Sequence, residues 1–346
     1  MHYIIQLSII SFLLIVIISF SDMFKNLPLS SKVLFIYCCI SGLYFSMFEP
    51  FSKMGFVSSS NLRIISGNSF SYFIIQVIFV FSLSKKWFLK AWKTLGLLTL
   101  ASSLMVIIRF CLNLQPWGLG LNTSTEGAFL AIMMPLMLFS VKDNNNWNLF
   151  FKSLPIIAVF LTGSSVGIFG SCLSVMIYLL MTNKKRFAYS LIPISIFITA
   201  AYFYTGSTKG IQNELFSDSF RIKHWLLYFA WWLKSDNQLL GTGLGSFYGF
   251  GPYIQKLYNL KIAGILPTAH NDWLQILMEL GLIGFILSQI VFIKTLIASR
   301  KFPIFFSSTF TFGVVAFLNM PLRYPIVSLA GLIIFRIIHD QKIIKK

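Results

Sequence analysis

Charge is scarce in this chain, and acid scarcer still. Of 346 residues 11% are charged, with 10 Asp and Glu against 28 Lys and Arg, whereas ordinary soluble domains carry about a quarter charged residues. At 56% hydrophobic residues and a mean hydropathy of +0.78, too little polar material remains to cover a water-facing surface. A soluble fold is therefore excluded. Cysteine is also sparse. Cys38, Cys39, Cys111 and Cys172 lie in or beside apolar segments, which excludes a secreted disulfide framework and predicts neither a zinc site nor any other metal. Short strands of alternating polarity are missing, so an outer-membrane barrel is excluded as well. No repeat or low-complexity segment divides the chain, and residues 1–346 read as a single integral membrane domain.

What is present is a succession of apolar runs. The bilayer admits helices or closed barrels, so the runs predict an all-α, polytopic transmembrane bundle. We count about eleven candidate spans, near 3–20, 33–48, 68–84, 95–112, 126–141, 149–163, 164–181, 187–204, 273–297, 303–319 and 325–339. Only Gly163-Ser164-Ser165 separates the sixth from the seventh, so a count of ten to twelve fits the same loops. The first run lacks a basic leader and a small-residue cleavage site and is expected to be a retained span.

The net charge of +18 would in a soluble protein point to nucleic acid. Here the basic residues sit in short clusters between apolar runs, the pattern of topology signals rather than of nucleic-acid binding. Lys85, Lys86, Lys90 and Lys93, then Lys184 to Arg186, then Arg300 with Lys301, and the tail Lys342 to Lys346 all fall on one side of an odd-numbered bundle. That side is the cytoplasm, which places the N-terminus outside and the C-terminus inside. The same register puts residues 205–270 outside as one long periplasmic loop. Long loops in compact proteins are functional or disordered. This one carries Trp225, Trp231 and Trp232 within 221–234, a segment suited to an interfacial helix lying on membrane lipids.

Three features cluster in and just after that loop: Arg221-Ile-Lys223-His224-Trp225, the glycine turn Gly241-Thr-Gly243-Leu-Gly245-Ser-Phe247, and His270-Asn271-Asp272-Trp-Leu-Gln275, continuing to Glu279, Gly281 and Gly284. Asn271 or Asp272 is a good N-cap for the ninth span, so His270 would sit at the positive end of a helix, where phosphate is favoured. Asn271, Gln275 and Glu279 fall at i, i+4 and i+8, a polar stripe that should face protein or water rather than lipid. Taken singly, each feature has an ordinary reading. A histidine at a helix start is more often a cap or interfacial residue than a catalyst. The glycine turn lacks the Lys-Ser/Thr of a phosphate-binding P-loop, so nucleotide binding is set aside. Arg221 and Lys223 equally suit membrane-surface anchors.

In their order and spacing the three elements together resemble the core of the O-antigen ligase and polymerase family. Weaker echoes are Leu121-Asn122-Thr-Ser-Thr-Glu126 and Leu161-Thr-Gly-Ser-Ser165. The resemblance implies a metal-independent, inverting glycosyltransferase without a cofactor. Such an enzyme moves a glycan from an undecaprenyl pyrophosphate donor to an acceptor hydroxyl, on lipid A core or on a carrier-linked glycan, at the periplasmic face. It implies that Arg221 binds the pyrophosphate and that His270 is the essential histidine. Lys223, Gly241, Gly243, Gly245, Asn271, Gln275 and Glu279 would then line the substrate. Many members carry an arginine at the position that Ser165 occupies here, and Arg109 and Arg323 are the candidates to replace it. An imidazole exchanges protons near neutral pH, so His270 suits a general base on the acceptor hydroxyl, or a pyrophosphate ligand. Polymerase and ligase share this chemistry. The competing class is a transporter of a lipid-linked glycan, which ordinarily shows internal repeats and paired broken helices. An assembly partner of an export complex fits the composition and leaves the three motifs without a role.

Overall fold

The structure is a computed structural model that describes residues 24, 27–48, 76–77, 80–81, 85–120, 122–139, 146–183, 212–258 and 268–340. Among these residues it is all-helical, without strands. The helices are α1 (Leu29–Phe48), α2 (Lys85–Cys111), α3 (Thr123–Phe139), α4 (Asn146–Thr162), α5 (Ser165–Met181), α6 (Gln212–Lys234), α7 (Phe247–Leu257), α8 (Asp272–Ser299), α9 (Pro303–Leu318) and α10 (Pro325–His339), with a 3-10 turn at Pro321–Arg323. Helices thus stand where eight of the expected runs lie. The runs 3–20 and 187–204 fall outside the described residues, as does most of 68–84.

Among the described residues two helices are long and apolar enough to cross a membrane, Thr94–Cys111 within α2 and Asp272–Ser299, which is all of α8. At about 1.5 Å per residue α8 is roughly 42 Å long, against a hydrocarbon core of about 30 Å. The other apolar helices run to 10–17 residues.

The bundle is built around α3. A soluble surface helix shows one apolar stripe, whereas α3 is apolar all round, as a buried helix must be. From Ala128 to Met134 every residue is buried. Helix α5 packs most closely on it, with α9, α4 and α2 completing the shell. The α3–α5 approach depends on two glycines. A Cβ on Gly167 would lie 2.5 Å from the Cα of Gly127, so small residues here let two backbones meet, as at membrane helix contacts.

Outward faces are apolar too. On α8, Ile286, Ile290, Ile293 and Ile297 are exposed at i, i+4, i+7 and i+11, one continuous stripe on the helix. Such a stripe in contact with water would be a large aggregation-prone patch, and in contact with acyl chains it costs nothing. Helix α6 has the same outward spacing at Ile222, Leu226, Phe229 and Leu233, while His224, Tyr228 and Trp232 are buried on its other face. The buried face packs with Phe247, Phe250 and Ile254 of α7 and with Leu277 and Met278 of α8, which ties the segment after 212 to the long helix.

Candidate functional site

The long helix α8 does not run straight through. At Gly281 the backbone turns to φ 66°, ψ −172°, a conformation open in practice only to glycine. A break inside an apolar span leaves carbonyls above it and amides below it without helical partners, and lipid cannot supply them. The glycine turn does. Thr242 N–H donates to the Met278 carbonyl at 3.1 Å and Gly243 N–H to that of Glu279 at 2.8 Å, while beyond the break Leu282 N–H reaches Gln238 O at 2.8 Å and Ile283 N–H reaches Leu239 O at 3.2 Å. The Tyr37 hydroxyl of α1 lies 2.8 Å from Leu280 O and 3.1 Å from Leu240 O. A Cβ on Gly241 would collide with the α8 backbone at Glu279 and Gly281. The close approach made by this glycine is therefore to the broken helix itself.

The break delivers Glu279 into a polar cluster. Its carboxylate is fully buried and accepts from four donors drawn from three parts of the chain. Oε1 takes the Gln275 side-chain amide at 2.9 Å and Phe247 N–H at 3.3 Å, and Oε2 takes Gly245 N–H at 2.9 Å and the Arg323 guanidinium at 2.8 Å. Charge-assisted bonds to buried carboxylates are the strong ones. Asp272 lies 3.9 Å from Arg323 Nε and accepts from Leu322 N–H at 2.7 Å, so both acids hold the Pro321–Arg323 turn against α8.

His270 stands at the entrance of this helix. Asn271 is the N-cap, its side chain accepting from Leu274 N–H at 3.0 Å, and Asp272 is the first helical residue. His270 takes φ 50°, a left-handed conformation uncommon outside glycine and worth notice near a polar site. It is partly exposed. The segment before it is clasped from two sides: Trp225 of α6 donates from Nε1 to Ala269 O at 2.7 Å, and Ala269 N–H reaches the Gln275 side-chain oxygen at 3.3 Å. Gln275 consequently connects the histidine loop to Glu279, and the expected polar stripe faces protein, with Asn271, Gln275 and Glu279 all buried.

The other sequence candidates fall in different places. Arg221 belongs to α6, one turn before Trp225, and its side chain lies outside the described ones; Lys223 is exposed on the same helix. Arg109, in the last turn of α2, bonds within its own loop, from Nε to Gln115 O at 2.8 Å, with its guanidinium 3.9 Å above the Trp117 ring. It does not join the Glu279 cluster, whereas Arg323 does. Ser165, where the resemblance would place an arginine, opens α5 directly after the N-cap Ser164.

Beside the cluster a cavity of about 610 Å³ runs between α1, α8, α9 and α10. Its walls are mainly apolar, with Phe35, Leu280, Phe292, Phe312 and Leu332 among them, and Gly245, Asp272 and Arg323 form a polar patch in its lining. Sequence reasoning named Arg323 and Gly245 but not the cavity, whose walls come from helices far apart in the chain. Glu126 was named there only at the end of a weaker motif echo, without a role of its own. That residue sits fully buried on α3, accepting from Ser102 Oγ at 2.6 Å, Gly120 N–H at 2.7 Å and Gly118 N–H at 3.2 Å. Beside that echo, the sequence signal was an acid three residues inside an apolar helix.

An all-helical bundle with exposed apolar stripes, a broken helix and a buried polar cluster beside an apolar cavity marks an integral membrane protein. Residues 150–288 match the family model described as O-antigen ligase. That segment of the chain, from α4 past the Gly281 break, is thus similar to the O-antigen ligase family. No curated protein matches the chain.

Proposed function

We propose that this protein is a glycosyltransferase of the O-antigen ligase kind, which transfers a glycan from undecaprenyl pyrophosphate to an acceptor hydroxyl at the periplasmic face of the inner membrane. The observation that carries the reading is the joining of an apolar cavity to a polar patch: Arg323, Asp272 and Gly245 line the same space as Phe35, Phe292 and Phe312. A polyprenyl pyrophosphate has this same division into an apolar tail and a charged head. A donor that never leaves the bilayer also explains why the enzyme has so little water-facing surface.

The acceptor oxygen attacks the anomeric carbon, the carbon–oxygen bond to the pyrophosphate breaks with inversion, and the lipid pyrophosphate leaves with the bonding pair. His270 takes the acceptor proton. Arg221, with Lys223, neutralises the phosphate oxygens as charge moves onto them. Arg323, held by Glu279, adds a positive charge to the cavity lining and takes the place for which Arg109 is the alternative. No metal or cofactor is required, because pyrophosphate is already a good leaving group. Gly241 and Gly243 act through the α8 break, Gly245 at the cavity wall, and Asn271 and Gln275 by holding the His270 loop.

The test is deletion of the gene in its source bacterium, with complementation by wild type, His270→Ala and Arg221→Ala, read as the surface polysaccharide ladder on a gel. Each variant is expected to lower transfer by about 100-fold or more. Uncapped core with carrier-linked chains accumulating identifies a ligase, and core bearing a single repeat identifies a polymerase of the same family. A ladder restored fully by both variants, each inserted normally, would return the transporter reading to the front.

A further inference from the structure

The Glu126 cluster does nothing in the mechanism above, yet it is costly. A carboxylate buried without a cation loses several kcal/mol of hydration, and among the described residues no Lys or Arg pairs with Glu126. Its three donors are neutral: two backbone amides and the Ser102 hydroxyl, which in turn accepts Leu119 N–H at 2.9 Å. All that this arrangement secures is the shape of residues 118–120. Gly118 and Gly120 fit so tightly that a Cβ on either would meet Glu126 Oε2 at 3.0 Å. The loop between α2 and α3 is therefore rigid at its base.

That rigidity fixes Trp117, which immediately precedes the pinned amides. Arg109 lies 3.9 Å above its ring and is anchored by its own bond to Gln115 O. Arg109 makes no ion pair among the described residues, so its charge is free for another use. Asn113 and Gln115, with amide side chains, are exposed beside it. The loop ends next to the polar patch of the cavity: Asn122 caps α3 and donates to the Tyr324 hydroxyl at 3.2 Å, one residue beyond Arg323, and Ser124 is bonded by Asn319 at 3.0 Å.

We infer that loop 113–120 is a saccharide-binding shelf for the acceptor glycan, with Trp117 as the stacking surface and Arg109, Asn113 and Gln115 as partners for ring hydroxyls. An indole face carries negative charge density that attracts the C–H-rich face of a sugar ring. A guanidinium and two amides supply both donors and an acceptor for vicinal hydroxyls. The inference rests on the transferase reading for the name "acceptor", but not for the binding itself. The ordinary alternative is that Trp117, Phe110 and Leu112 merely anchor the loop in the lipid interface, as aromatic and basic residues do at bilayer edges.

The measurement is direct binding, with purified full-length protein in detergent, of the lipid-free oligosaccharide that mild acid releases from the source cell's own surface glycolipid. Wild type is expected to bind it. Trp117→Ala and Arg109→Gln should each weaken binding on the order of ten-fold, while Trp117→Phe and the exposed-residue control Leu112→Ala should stay within about three-fold. No binding by wild type, or equal binding by wild type and Trp117→Ala, overturns the inference and leaves the loop an interfacial anchor. Because this readout needs no transfer, it is separable from the other reading. Loss of binding in Trp117→Ala together with a normal ladder in both the His270→Ala and Arg221→Ala strains would keep the shelf and remove the transferase.

Discussion

Glu279 shows how one side chain can be legible in position and illegible in role. Its place on a polar stripe follows from the i, i+4, i+8 spacing with Asn271 and Gln275 and from the cost of facing lipid. Its partners do not follow, since Gly245 precedes it by 34 residues and Arg323 follows it by 44. With four donors converging on a fully buried carboxylate, Glu279→Ala removes the shorter of the two carboxylate contacts of Arg323 and strands two backbone amides. Breaking a buried pair from one side costs about 3–5 kcal/mol, so this variant should show a clearly lower unfolding temperature in detergent, and Glu279→Gln, which keeps the shape and one acceptor oxygen, a smaller drop. An unchanged melting curve for the alanine variant would mean that the cluster is not holding Arg323. Trp225 offers a milder case. Trp225→Phe retains the ring and loses the bond to Ala269 O, worth about 0.5–1.5 kcal/mol, and should lower transfer more than stability if the His270 loop is what the bond holds.

Among the elements, α8 is where sequence and structure differ in kind. The apolar run 273–297 reads as a continuous span, and the helix does cover Asp272–Ser299, but it is broken at Gly281. Glycine within a helical pattern costs about 1 kcal/mol relative to alanine and does not by itself announce a break. The break exists because Gln238, Leu239, Thr242 and Gly243 arrive from another part of the chain with the complementary amides and carbonyls. Gly281→Ala forces a side chain into a glycine-only conformation and against Leu239 O. It should destabilise by about 1–3 kcal/mol from backbone strain alone, and circular dichroism with thermal unfolding would measure it. A variant as stable as wild type would show that the helix can run straight. The aromatic segment 221–234 is helical within α6, and Ile222, Leu226, Phe229 and Leu233 are exposed along one side of it.

At the level of the whole molecule, the cavity among α1, α8, α9 and α10 is the space that the tail of the proposed donor would fill. Filling it tests whether the space is used. Ser308 is buried and lines the cavity, so Ser308→Phe should reduce transfer several-fold by excluding part of a lipid tail, while Ile290→Phe on the outer face should leave the ladder unchanged. Overpacking costs about 1–3 kcal/mol, so the unfolding temperature of Ser308→Phe has to be measured alongside. If Ser308→Phe folds and transfers as wild type does, the tail lies elsewhere.

The helical class, the bilayer as solvent and the order of the three motifs are consequences of the sequence by itself, because apolar length and cap chemistry act over a single turn or a single span. Asn271 is recognisable as an N-cap for the same reason, since it bonds an amide three residues away. Only the tertiary structure decided that Arg323 rather than Arg109 joins Glu279 and Asp272. It also decided that the glycine turn closes a broken helix, and that Glu126 holds Gly118 and Gly120. Each of these depends on buried hydrogen bonds between groups brought together by helix packing. Where a buried polar atom finds its partner is a property of the packed bundle, not of the spacing along the chain.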